Sequence, residues 1–250
     1  MGAPLSFLYG LAAYCAGLAA LLYLIAFTGN LPVPVSVDSG HAGPWPQAVL
    51  IDLLLLALFG VQHSVMARRS FKRWLTGFVP RAVERSTYLL ATSVVLAVLF
   101  LLWRPIPQPI VWLADRPVAA DLLTALFWLG WALLLFSSFL INHFELFGLQ
   151  QVFARLTGRA IPDMEFRTPL LYRHVRHPLY LGLLLGLWSA PAMSAGHLLF
   201  ATGASAYILI GVWFEERDLV AQFGERYRRY RKEVGMLLPR LRRARSSRPY

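Results

Sequence analysis

Apolar residues gather into six runs, at 5–28, 47–66, 87–103, 118–141, 178–191 and 197–214. Crossing a hydrocarbon core of about 30 Å takes about 20 helical residues, and most of these runs approach or exceed that length. They are continuous rather than alternating, which predicts membrane helices and not barrel strands. The fifth run is short. Pro191 and the turn Ser194-Ala195-Gly196 make 178–214 read as a helical hairpin. Gly182 and Gly186 lie four apart on one face, so the two arms are expected to pack closely. Beyond the hairpin, Leu219, Val220, Phe223, Tyr227, Tyr230 and Val234 recur near helical spacing with arginines between them. That pattern predicts a basic amphipathic helix over 215–234, lying on the membrane surface. The expected fold is all-α: one polytopic integral membrane bundle of five to six helices over residues 1–239. The Arg- and Ser-rich stretch 240–250 is expected to be disordered.

Composition agrees with this pattern. Of 250 residues, 57% are hydrophobic and 15% charged, a balance that a soluble domain of this length rarely shows. The net charge of +11 would raise the question of nucleic acid in a soluble protein. In this chain it fits basic loops and an anionic leaflet instead, and no nucleic acid partner is expected. The loop 29–46 has no Lys or Arg, whereas 67–86 carries Arg68, Arg69, Lys72, Arg73, Arg81 and Arg85. The loop 104–117 has only Arg104 and Arg116, and 142–177 has Arg155, Arg159, Arg167, Arg173 and Arg176. Such alternation predicts a multi-pass membrane protein with both termini in the cytoplasm. The stretch before the first apolar run has no basic residue, so residues 5–29 read as a retained helix rather than a cleaved signal. Cys15 is the only cysteine, which excludes an intrachain disulfide and thiolate metal clusters.

The candidate chemistry sits at the helix ends. In Arg176-His177-Pro178, Pro178 suits the first turn of a helix and leaves His177 at its cap, beside free backbone N–H groups. Tyr180 follows one turn later. Glu215 and Glu216 end the sixth run, where two carboxylates oppose the helix dipole and call for a counter-charge or a ligand. Three further clusters, Gln62-His63, Glu84 to Tyr88, and Asn142-His143-Phe144-Glu145, lie at the same end. Either His63 or His143 is placed to take a proton, with Glu145, Gln62 and Asn142 beside them. His174 and His177 straddle a helix start among basic residues, which disfavours a cation, so no metal is expected.

The run Arg176-His177-Pro178-Leu179-Tyr180-Leu181-Gly182, then Glu215-Glu216, Phe223-Gly224-Glu225-Arg226-Tyr227-Arg228-Arg229-Tyr230 and Leu238-Pro239, resembles the isoprenylcysteine carboxyl methyltransferase superfamily. The earlier phrases at 62–68, 84–88 and 142–151 look most like its bacterial methanethiol S-methyltransferase branch, and somewhat like a membrane family linked to nitrogen-oxide metabolism. The resemblance implies S-adenosyl-L-methionine as cofactor, held by 167–239, and methanethiol as acceptor. It places Arg176, His177, Pro178, Tyr180, Gly182, Glu215 and Glu216 around the cofactor, with Tyr172, Arg173 and His174 at the entrance. For catalysis the placement of the residues themselves points to His63, His143, Glu145 and Arg176, with Gln62 and Asn142 near the substrate. Another membrane-accessible acceptor (a prenylcysteine carboxylate or a phospholipid amine) and a non-enzymatic role in nitrogen-oxide metabolism are the alternatives. Oligomeric state is not legible.

Overall fold

The computed structural model describes residues 1–160 and 166–240; of the tail expected to be disordered, 241–250 lie outside the described residues. In chain order the elements are α1 (Ala3–Thr28), α2 (Trp45–Ala67), α3 (Arg69–Leu75), α4 (Glu84–Leu102), β1 (Ile110–Leu113), α5 (Pro117–Ile141), α6 (His143–Leu146), α7 (Leu149–Thr157), α8 (Pro178–Trp188), β2 (Ala192–Ser194), α9 (Ala195–Phe223) and α10 (Glu225–Glu233). Five of them, α1, α2, α4, α5 and α9, are long and apolar enough to cross a membrane. The protein is therefore a multi-span helical membrane protein. Its outward faces carry Leu8, Leu22, Leu54, Val61, Leu122 and Ile210, all exposed, as a lipid-facing surface requires.

Prolines open several helices. Pro4, Pro46, Pro117 and Pro178 all occupy the first two positions of their helices, where a missing N–H costs nothing. At 11 residues, α8 rises only about 16 Å, so it enters the bundle without crossing it. Its two glycines do pack closely, but against α5 and not against the other arm of the hairpin. A Cβ on Gly182 would lie 2.6 Å from both Gly130 O and Leu134 N, and one on Gly130 would lie 2.5 Å from Gly186 N. On α5, Gly130 supplies the small residue that lets the two backbones approach at the crossing.

The end of α9 also departs from expectation. The helix does not stop at 214 but continues to Phe223, so Glu215 and Glu216 lie inside it and not at its C-terminus. The break comes at Gly224, whose φ of +57° a side chain would resist. The expected surface helix over 215–234 is thus divided: Leu219, Val220 and Phe223 belong to α9, and α10 is a separate nine-residue helix that buries Tyr227.

The aromatic core gathers at the end opposite Glu215. There Phe27 packs on Phe100 (5.2 Å between ring centroids) and Phe200 (5.4 Å), with Trp103 against Phe200 (5.5 Å). The loops at this end add a small antiparallel sheet, with Trp112 opposite Met193 and Leu113 opposite Ala192. Asp52 is fully buried near the start of α2 and accepts the backbone N–H of Arg104 at 2.9 Å, a structural tie.

Candidate active site

The basic end of the bundle is held by a buried ion cluster. Pro178 starts α8, and His177 stands at its cap as the proline implies. The tail returns beside this start: Val175 pairs with Gly235, Arg176 N–H donates to Gly235 O (2.9 Å), and His177 N–H donates to Met236 O (3.1 Å). This backbone strap carries α10 over the cluster. Arg176 Nε donates to Glu216 Oε1 at 2.7 Å, His177 Nε2 lies 3.1 Å from the same oxygen, and Arg231 Nε lies 3.1 Å from Oε2. Arg176 Nη1 also reaches the carbonyls of Val234 and Arg231. Glu216 and Arg176 are both buried. The counter-charges that the paired glutamates demand are therefore supplied within the chain for Glu216.

Glu215 has a different environment. It is half-buried and accepts the hydroxyl of Tyr180. Near Tyr180 lie Tyr88 and Tyr207, and these two flank His63, at centroid distances of 4.8 and 6.0 Å. His63 Nδ1 is 3.2 Å from Thr92 Oγ1. One candidate proton acceptor, His63, thus packs against two tyrosines that lie near Tyr180, the donor to Glu215. Gln62, its neighbour, donates to Met66 Sδ at 3.1 Å.

His143 is placed otherwise. It is 5% exposed and stacks on Phe139 at 4.1 Å. Its Nδ1 is 2.8 Å from Ser138 Oγ and its Nε2 2.9 Å from Tyr14 OH, so both ring nitrogens are engaged. Asn142 accepts the Glu145 N–H and donates to Glu145 Oε2 (3.1 Å) and Gln150 Oε1 (2.6 Å). Asn142, His143 and Glu145 thus join α5, α6 and α7 to α1, while the α8 cluster lies beyond Tyr172, whose hydroxyl donates to Ser137 O at 3.4 Å. Burial holds the His143 imidazole below its ordinary pKa. Folding therefore favours the neutral ring, and the unfolded chain binds the proton first as pH falls through about 6.5. This contribution to stability is complete above that pH and declines below it. His143→Phe is expected to reduce the loss of unfolding temperature between pH 8 and pH 5, read by scanning fluorimetry in detergent. An unchanged acid slope would mean that the folded ring accepts the proton.

The entrance residues divide as well. Tyr172 is buried, and its carbonyl accepts the Tyr230 hydroxyl, while Arg173 and His174 are exposed. Burial pushes the Tyr172 and Tyr227 hydroxyls up, reinforced by Glu215 at both and by Glu216 at Tyr227, and pushes Tyr230 up to about 12, so all three stay neutral. Outside them lies a groove of about 720 Å³ lined by Phe166, Arg167, Arg173, Arg226 and Tyr230 among others. Gly182 is not in this group, since it faces α5. Among the described residues no three His, Cys, Asp or Glu side chains converge as a metal site.

No family model and no solved structure matches the chain. Known proteins do. The methanethiol S-methyltransferase of Pseudomonas deceptionensis is 54% identical over 236 residues, covering 94% of this chain and 90% of its own. That of Mycobacterium tuberculosis is 52% identical over 235 residues, covering 94% and 96%. This chain belongs to the methanethiol S-methyltransferase family. A more distant relative, nurim of Sus scrofa, is 31% identical over 189 residues, 69% of this chain and 70% of its own.

In this methanethiol S-methyltransferase family member, three residues at the site escape a reading by motif. Arg231 is one of several tail arginines, and its pairing with Glu216 depends on the strap. Tyr14 is one of several hydroxyls in an apolar helix, and it reaches His143. Tyr207 is a lone polar aromatic on the face of α9 two turns before Glu215. A single tyrosine at membrane depth, one helical face removed from a paired carboxylate, is the signal that would have found it.

Proposed function

We propose that this chain transfers a methyl group from S-adenosylmethionine to methanethiol, giving dimethyl sulfide and S-adenosylhomocysteine. The observation that carries the reading is identity near 50% with methanethiol S-methyltransferases across 94% of the chain. The chemistry at the basic end is compatible with it. The donor is a substrate with an ammonium, a sulfonium, a carboxylate and a ribose diol. Glu215 offers a half-buried carboxylate for the cationic or diol groups, Arg173 and Arg226 suit a carboxylate, and Phe166 with Tyr230 present aromatic faces to the groove. The segment 167–239 is assigned to holding the donor, with Arg176, His177 and Glu216 fixing its walls.

The sulfonium is already a good leaving group, so the protein's tasks are to align an in-line displacement and to support the thiolate. His63 is the proposed base. With its proton on Nδ1, donated to Thr92, the lone pair is on Nε2, which takes no hydrogen bond among the described residues. His143, with both nitrogens engaged, is assigned to structure. We assign the protein to the bacterial inner membrane from its bacterial relatives, and both termini to the cytoplasm from the alternating basic loops.

Membranes containing the chain, given S-adenosylmethionine and methanethiol, are expected to release dimethyl sulfide that depends on both, measured by headspace gas chromatography. No product despite calorimetric binding of the donor would discard the acceptor. Neither product nor binding would discard methyl transfer.

A further inference from the structure

Of the side chains around His63, three have no part in the reaction as described so far. Phe59 stacks on the imidazole (5.2 Å between centroids, 24° between planes). Tyr88 and Tyr207 close two other sides, and Phe59 meets Tyr207 edge-on at 5.6 Å. Tyr207 is fixed from both ends. Ser64 Oγ donates to its hydroxyl at 3.4 Å, and its ring lies on Gly60, where a Cβ would stand 3.2 Å from Cδ2.

Two features separate this group from ordinary ring packing. The opposite-end core of Phe27, Phe100, Trp103 and Phe200 is fully buried, yet Phe59, His63, Tyr88, Tyr180, Tyr207 and Glu215 all keep accessible surface. The group also joins a lipid-facing helix to the cofactor motif. Val61 and Val65, on either side of His63 along α2, are exposed, while Tyr180, which donates to Glu215, lies near Tyr88 and Tyr207. A positive charge stands nearby: Arg68, whose guanidinium lies 4.0 Å over the Phe214 ring, is within electrostatic reach of Tyr207.

We infer that Phe59, Tyr88 and Tyr207 form a ring-walled slot that seats the acceptor thiol against His63 and limits it to very short alkyl chains. The inference rests on the methyl-transfer reading above. A thiol seated there gives its proton to His63 Nε2 as its sulfur bonds to the methyl carbon. The donor's C–S bond breaks, its electron pair stays on the donor sulfur, and the proton then passes from His63 to water. The rings supply an apolar wall of fixed depth, and a methylene that such a wall admits or refuses changes selectivity about 10- to 200-fold.

The test compares methanethiol with 1-butanethiol in wild type, Tyr207→Ala, Phe59→Ala and Tyr207→Phe, with each methyl thioether quantified by gas chromatography. The readout is the ratio of kcat/KM for the two thiols, from which donor loading cancels. Tyr207→Ala and Phe59→Ala are expected to raise the butanethiol-to-methanethiol ratio at least 10-fold. Tyr207→Phe, which keeps the ring, should leave the ratio within about 2-fold. Binding of butyl methyl sulfide without donor, followed by ligand-observed NMR, should tighten in the alanine variants. Should Tyr207→Ala not fold, Phe59→Ala decides alone. An active wild type whose ratio is unchanged in folded alanine variants overturns the slot but leaves the methyl-transfer reading standing. A wild type that methylates neither thiol overturns both.

Discussion

Replacing Arg176 with methionine is expected to lower the stability of the protein by about 3–5 kcal/mol. The guanidinium is the partner of a buried carboxylate and also the donor to two tail carbonyls. Its loss leaves Glu216 with His177 and Arg231 alone and orphans the Val234 carbonyl inside the strap. The cost is dominated by the charge left buried, so methionine of similar volume does not restore it. Arg231→Met serves as the comparison. Its side chain is 45% exposed, and partly solvated ion pairs contribute about 0–1 kcal/mol. Unfolding temperature in detergent and the rate of proteolysis after Gly224 should both separate the two variants. Equal midpoints for Arg176→Met and wild type would mean that the cluster does not hold the tail.

The second large effect concerns Gly182→Leu. The Cβ alone would meet backbone atoms of α5 at 2.6 Å, and backbone cannot rotate away as a side chain can. Overpacking of this kind costs about 1–3 kcal/mol or more. The functional loss should exceed the stability loss, because α8 carries His177 at its cap and Tyr180 in its first turn. A shift of about 1 Å in a positioned group can cost about 100-fold in rate, and a loss of this order in dimethyl sulfide formation is expected. Gly211→Ala is the contrast on α9. Its Cβ would meet nothing within 4 Å, so it should be neutral or stabilising by up to about 1 kcal/mol. Circular dichroism melts and headspace assays on the two variants check both outcomes. A fully active Gly182→Leu would show that α8 does not fix the site.

The membrane spans were readable because lipid leaves the chain little choice. A backbone in hydrocarbon must bond to itself, which imposes long apolar runs. The extension of α9 to Phe223 was not readable. Glu215 to Asp218 look like the end of a span, and only the backbone at Gly224 shows where the helix stops. Gly182 and Gly186 announced a close contact, but a glycine pair does not name its partner. The members of the ion cluster could be gathered by motif, whereas their mutual satisfaction could not, since Arg231 and the strap from Val234 to Met236 come from a separate turn. His63 and His143 look equivalent in sequence, each at a helix end among polar residues. Their hydrogen bonds divide them: Tyr14 and Ser138 occupy both nitrogens of one, while Thr92 meets a single nitrogen of the other.

The strap also orders the birth of the enzyme. Arg176 and the Val234 carbonyl that it holds are 58 residues apart. At about 5–20 residues per second, a ribosome takes roughly 3–12 s to make that stretch. The bundle therefore enters the bilayer with its ion cluster open, and the last turns of translation close it. A chain cut short before Val234 is expected to insert and yet to lack the strap that holds Arg176 against Glu216.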